Sequence, residues 1–288
     1  MKNAILLFVL VTPFLFTSCK KQETAQQTFT APADSMKQWK LGIAFWTFHT
    51  FSLPDALAKI DSSGVDYIEG VPFFKAGAEL GDSLIGDLSP SGLQKVKDLI
   101  QSKGLKMESM YIGGKTKDEW NKNFGIAKFF GVQYVTGEPP LNLWDEVDSL
   151  AGVYGLKVAI HDHWKGVSKY WSPDSVLAAI EGHPNFGVCA DLGHWPKSGV
   201  NPLEAVKKLE GHIMNIHLKD IAAYDNPELK DVRVGTGVVD FPAIFAELKR
   251  QNFAGHIYIE RDAEMKPSNL PSVMETIGYY YQEIGKLE

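Results

Sequence analysis

Residues 157–194 read KVAIHDHWKGVSKYWSPDSVLAAIEGHPNFGVCADLGH. The stretch opens on a short β-like run, KVAIHD (157–162), with His161 and His163 at its end. SPDSVLAAIEG follows, an amphipathic helix with Ser172 and Pro173 at its start and Gly182 at its end,. A second β-like run, FGVCAD (186–191), then delivers Asp191, with His194 three residues on. Strand, capped helix, glycine and strand make one βαβ unit, and such units imply parallel strands.

Working outward, the same unit recurs along the chain. The remaining strand-like runs are LGIAFW (41–46), DYIEGV (66–71), KMESMYI (106–112), QYVTGE (133–138), IMNIHL (213–218) and HIYIE (256–260). Helical segments lie between them. LPDALAKIDSSG follows Ser52 as an N-cap, SPSGLQKVKDLIQSKG starts on Ser89-Pro90, and NPLEAVKKLEG has Asn201 before Pro202,. Glycines 64, 104, 131, 155, 182, 211 and 255 each stand just before the next strand, where a helix C-terminus favours them,. Eight repeats predict a single (β/α)8 TIM barrel. A doubly wound open sheet is the alternative, but no glycine-rich phosphate loop follows the first strand. Gly235-Thr236-Gly237 comes after the seventh strand and reads as a turn. PSVMETIGYYYQEIG closes the barrel, and the long connection over 221–240 belongs to the face that carries chemistry,.

In such a barrel every strand delivers its last residue to one face. Four successive strand ends here carry metal-binding side chains: His161, Asp191, His217 and Glu260. Two imidazoles and two carboxylates suit one divalent cation. Candidate bases beside them are Glu138, His163 and Lys219. Glu138 alternatively orients a metal-bound histidine. His163 is base, fifth ligand or substrate contact, and Lys219 fits a hydroxyl or enolate oxygen better than it fits proton abstraction. Glu69 and Glu108 sit in the second and third strands, placed to bind sugar hydroxyls or to satisfy the barrel rim. Trp46, His49, Tyr111 and Trp195 are candidate pocket walls.

The first residues read as a targeting segment. Lys2 supplies a positive start, and Ala4–Phe16 is apolar apart from Thr12 and Pro13, too short to span a bilayer as a helix,. Thr17 and Ser18 precede Cys19, so residues 1–18 resemble a bacterial lipoprotein signal with lipidation at Cys19. An ordinary secretory signal is the other reading, and both predict export, to the periplasm or outer membrane. Residues 19–36 are polar and predict a disordered tether, leaving 37–288 for a barrel of ordinary size,. Cys189 is then the one mature-domain cysteine besides Cys19, a small core residue with no intrachain partner,. A net charge of -6 without a basic stripe argues against nucleic acid,. Seven Trp and 16 Phe fit either a sugar-stacking pocket or a well-filled barrel. Membrane contact is expected only through the lipid anchor, and a homo-oligomer is compatible with the chain.

The motifs AIHDH, CADLGHW, IHLKD and VRVGTGVVDFPAIFAELKRQNFAGHIYIE, in that order, resemble the xylose-isomerase-like barrels. This sugar isomerase/epimerase group also contains metal-dependent endonucleases of DNA repair. The resemblance covers nearly all of 39–285. It implies metal ligation by Asp191, His217 and Glu260, substrate contact by His194, and binding of substrate hydroxyls by Arg233. The fourth ligand of the family is typically a glutamate on the fifth strand, where this chain has His161. An imidazole bound to metal is no free base, so two-base epimerisation loses one partner. The exchange also softens the site, favouring Mn, Co, Zn or Fe over Mg.

A cation there would polarise a sugar ketone and acidify the neighbouring C–H. Removal of that proton gives an enolate, from which isomerisation, epimerisation and β-elimination all follow. Export and the lack of an Arg/Lys cluster disfavour phosphosugars and DNA. Relatives within the resemblance cleave 3-keto-glycosides by elimination, which needs one base and one metal. The expectation is therefore a metal-dependent carbohydrate lyase acting on a small unphosphorylated keto sugar or glycoside. An isomerase or epimerase is the alternative, and a non-catalytic sugar-binding lipoprotein the second.

Overall fold

The computed structural model describes residues 38–287. The expected signal, Cys19 and the whole tether lie outside the described residues. Eight parallel strands close into a barrel: β1 (Lys40–Ala44), β2 (Tyr67–Gly70), β3 (Lys106–Tyr111), β4 (Tyr134–Gly137), β5 (Lys157–His161), β6 (Phe186–Asp191), β7 (Ile213–Leu218) and β10 (His256–Ile259). The connection after β7 contains a two-stranded antiparallel ribbon, β8 (Asp220–Ile221) with β9 (Asp231–Val232). Helices α1 (Leu53–Ser63), α2 (Pro90–Ser102), α3 (Lys117–Phe130), α4 (Trp144–Tyr154), α5 (Pro173–Ile180), α6 (Pro202–Lys208), α7 (Phe241–Arg250) and α8 (Leu270–Gly285) follow the strands in turn. Among the described residues, no helix is long and apolar enough to cross a membrane.

Several strands stop earlier than the sequence suggests. β1 ends at Ala44 and a 3-10 turn takes over, so Trp46 sits on a turn, and Glu138 and Glu260 lie one residue past their strands. Caps explain where the helices begin. The Asn201 side chain accepts from Leu203 and Glu204 N–H, and Thr116 and Ser172 form capping boxes,. Ser52 stands at the N-cap of α1 but donates to Asp55 instead of capping the backbone. Gly255 departs from its expected role. A Cβ there would meet the Met214 carbonyl oxygen at 2.3 Å, while Asn252 takes the left-handed exit from α7 at φ 53°. Gly255 is required for close approach of chain to chain.

Alternation along each strand divides the core in two. In β5, Val158 and Ile160 join the large apolar cluster between barrel and helices, while Ala159 packs inside the barrel with Tyr134 and Cys189,. The barrel interior is unusually polar. Glu69, Ser109, Thr136, Asn215 and His217 are all buried, and Glu69 accepts from both the Ser109 and Thr136 hydroxyls (3.2 and 2.6 Å). Most buried polar groups of this kind are hydrogen-bonded, although Asn215 Oδ1 has no partner among the described residues,.

Candidate metal centre and active-site cavity

Strand register assembles the centre. Asp191 at the end of β6 pairs with His217 of β7, and His161 is the last residue of β5. Glu260 leaves β10 directly beside β7. One ligand atom from each of His161, Asp191, His217 and Glu260 falls within 4.8 Å of all the others, and all four residues are buried. His161 Nε2 lies 3.2 Å from His217 Nδ1 and 3.7 Å from Asp191 Oδ2, and Asp191 Oδ2 lies 3.8 Å from His217 Nδ1. Glu260 Oε2 is in direct contact with His217 Nδ1. Ligands held ~2.0–2.2 Å from one ion stand at about such spacings from each other.

The surroundings agree with a divalent cation. His217 Nε2 meets Glu69 Oε2 at 2.9 Å, the carboxylate–histidine pairing that fixes which ring nitrogen faces the centre,. Asp191 Oδ2 is buried without an aligned hydrogen bond, although Lys219 Nζ stands 2.9 Å away. Burial pushes the His161 imidazole down to about 4, leaving it neutral and able to donate a lone pair. Burial raises the Glu260 carboxyl, but Lys219 and His217 outweigh it and hold the group at about 2. Cys189 also lies within reach of His161 and His217, yet burial pushes its thiol up to about 12. Its neutral sulfur takes a hydrogen bond from Asn215 instead (3.1 Å).

A cavity of about 550 Å³ opens above these donors, lined among others by Trp46, His49, Glu69, Phe73, Tyr111, His163, Trp164, Lys197 and the Pro227–Lys230 loop. Trp46 and His49 stack at 4.3 Å and 15°, and Trp46 Nε1 donates to Asp262 (2.9 Å). Trp46, His49, Glu69 and Tyr111 thus stand where the sequence suggests. His163 also faces the cavity, and its Nδ1 meets Glu138, which in turn accepts from the Ser168 hydroxyl. Burial raises the Glu138 carboxyl, but His163 and Ser168 reverse the shift and keep it ionised. Glu138 engages His163 Nδ1, which leaves His163 Nε2 without a hydrogen bond among the described residues.

Five expectations are corrected. Lys219 is no base. It is buried between Asp191 (2.9 Å), Asp262 (3.0 Å) and Glu260 (3.4 Å), and these carboxylates more than offset burial and raise its pKa. His194 lies behind the cavity wall and not in it. Its Nδ1 donates to the Asp162 carbonyl (2.8 Å), its Nε2 accepts from Lys219 (3.1 Å), and its ring stacks under His163 at 4.6 Å. Trp195 is fully buried core. Arg233 is half-exposed and pairs with Glu275 on α8 (3.2 Å), away from the cavity.

Glu108 is the fifth correction. The β2–β3 register passes from Ile68↔Met107 to Glu69↔Ser109, so Glu108 is the residue skipped by a bulge,. Its side chain joins Lys40, Gln133 and His256 at the strand starts, the opposite end of the barrel.

Sequence reasoning missed Asp162, Trp164, Lys197 and Asp262. Asp162 lies on β5's exit, where its Oδ1 accepts the Asp191 N–H (2.8 Å). Burial and the Asp191 charge push its carboxyl well up. Asp262 follows Glu260 by two residues, the same spacing that links His161 to His163, and that repeat was the available signal. Trp164 and Lys197 lie in loops with no period to read.

A family model described as the xylose isomerase-like TIM barrel matches residues 141–279. An inosose dehydratase of Clostridium botulinum is 32% identical over 139 residues, covering 43% of this chain and 46% of the relative. The chain spans about half the length of the curated relatives it matches. A crystal structure of an uncharacterised protein of Parabacteroides distasonis is 36% identical, with a TM-score of 0.66 over 85% of this chain and 99% of that one. The zinc-bound IolI protein shares the fold at 20% identity, with a TM-score of 0.68 over 86% and 98% of the two chains. Closed barrel, strand-end donors and these likenesses agree: the chain belongs to the xylose isomerase-like TIM-barrel family.

Proposed function

We propose that the protein is a divalent-metal-dependent enzyme that forms an enolate from a keto sugar and resolves it by β-elimination, with a 3-keto-glycoside as the preferred substrate. The observation that carries this reading is the set His161, Asp191, His217 and Glu260 converging within 4.8 Å at the floor of a sugar-sized cavity,. A cation held by those four side chains would supply Lewis-acid polarisation of the ketone. Two imidazoles favour Zn, Mn, Co or Fe over Mg.

The other roles belong to the chain itself. His163 Nε2 takes the proton from the carbon beside the ketone, and Glu138 orients its ring and balances the imidazolium,. Trp46, Tyr111 and Phe73 offer apolar faces for the ring. Glu69 and Lys219 fix the donors from behind. Elimination is preferred over epimerisation because His161 replaces a carboxylate that would serve as a second base. A relative named for removing water from an inosose supports the same choice. Export, resting on residues 1–19, favours an unphosphorylated substrate and a lipid anchor at Cys19 as the sole membrane contact.

The test is NMR in D2O of the metal-loaded protein with a 3-keto-glucoside. Release of the aglycone with an unsaturated keto sugar is expected. Deuterium exchange beside the ketone without release would replace the lyase by an isomerase or epimerase. An unchanged substrate would sink both.

A further inference from the structure

Three cations stand around the floor of the cavity, and two are closed on carboxylates. Lys219 is held by Asp191, Asp262 and Glu260, and Arg261 by Asp231 with the Ser272 hydroxyl. Lys197 differs. The residue is only 6% exposed and lines the cavity, and its Nζ stands 4.0 Å from the centroid of the Trp164 ring. Among the described residues it has no hydrogen bond or ion pair with any protein group. An ammonium at the end of a mostly buried side chain, set against an indole face and open to the cavity, retains donors that an acceptor there can take,.

Its position is built. Lys197 sits in the 3-10 turn Pro196–Ser198 after β6, next to the fully buried Trp195. The Ser198 hydroxyl accepts the Lys165 N–H (2.8 Å), tying this turn to the loop that carries His163 and Trp164. The Trp164 ring lies 5.9 Å from the His163 ring. Base and ammonium therefore both stand against one indole in the lining of one cavity.

We propose that Lys197 holds and protonates the oxygen that leaves in the elimination, an inference that rests on the lyase reading. His163 takes the proton from the carbon beside the ketone, and that C–H pair becomes the new C=C bond. The bond from the next carbon to the glycosidic oxygen breaks, and its electron pair stays on the oxygen. Lys197 donates its proton there, releasing the aglycone as an alcohol. Proton exchange with water then returns imidazolium and amine to their starting forms.

A more basic leaving oxygen needs the proton more, so the test is a leaving-group series. Metal-loaded wild type, Lys197→Met and Lys197→Arg are given 3-keto-glucosides of 4-nitrophenol, phenol and methanol, with deuterium exchange beside the ketone followed in parallel. The expected result is a Lys197→Met loss that grows along the series, reaching about 100-fold or more for methanol. Exchange persists in that variant, and Lys197→Arg recovers part of the methanol rate. An equal loss for all three aglycones, no loss, or loss of exchange in step with cleavage would overturn the role of Lys197. Failure of the wild type to cleave any of the three overturns the lyase reading itself, and the role of Lys197 with it.

Discussion

The two ends of the barrel hold the same kinds of side chain and do opposite things with them. At the strand starts, Lys40, Glu108, Gln133, Tyr134 and His256 close on each other: His256 Nδ1 meets the Tyr134 hydroxyl (2.9 Å) and its Nε2 meets Glu108 (3.0 Å). Glu108 also takes Lys40 and Gln133. At the strand ends, His161 Nδ1, Asp162 Oδ2 and Asp191 Oδ2 are buried without hydrogen-bond partners, and Lys197 faces the cavity unpaired. A satisfied cluster is structure. A cluster with open valences costs stability and persists where a ligand completes it.

The sharpest break in this comparison is Asp191→Asn. It should remove stoichiometric metal, read by elemental analysis of the purified protein, and lower any turnover by about three orders of magnitude. Retention of metal by this variant would place the cation elsewhere. Next, Lys219→Met leaves Asp191, Glu260 and Asp262 facing one another and should cost about 3–5 kcal/mol in urea unfolding. Added divalent cation should restore part of that, and a variant as stable as wild type would show that the ammonium does not balance these charges.

A paired test compares buried Glu69 with half-buried Glu108 directly. Glu69→Gln should weaken cation binding about 10–100-fold by calorimetry, because Glu69 orients His217,. Glu108→Gln should leave it unchanged. Equal effects would erase the distinction between the two ends.

The smallest effect is in pH. Burial and Lys40 lower the His256 pKa from 6.5 against the pull of Glu108. The unfolded chain then binds this proton more readily than the folded one, so stability falls as pH drops below 6.5,. His161 and His194 are shifted the same way. The difference between wild type and His256→Gln isolates the bottom cluster: the urea midpoint of wild type should fall further than that of the variant from about pH 7.5 to about pH 5.5.

What was legible in the sequence follows from what has a period. Strand ends recur after each apolar run, so His161, Asp191, His217 and Glu260 could be placed on one face before any coordinates. Glu69 and Glu108 look alike in sequence, and only the bulge at Glu108 sends them to opposite ends. Arg233 followed the pattern of a resemblance, but its loop carries it out to Glu275. Lys197, Trp164 and Asp162 sit where the chain has left regular structure, so their partners depend on tertiary contacts that no local pattern encodes. Lys219 and His194 were expected to meet the substrate, and burial instead engages them with Asp191, Asp262 and the Asp162 carbonyl behind the wall.

Asp220 fastens one side of the excursion after β7, accepting N–H groups from Ile221, Gly235, Gly237 and Val239. Asp231 pins its far side by accepting from Arg261 and from the Asp262 and Ala263 N–H groups. Between these two anchors, Pro227–Lys230 reach over the cavity while making few bonds of their own. The arrangement separates heredity of the catalyst from heredity of its appetite. Substitutions in the arch should therefore change which molecule the cavity admits while the barrel beneath goes on folding as before,.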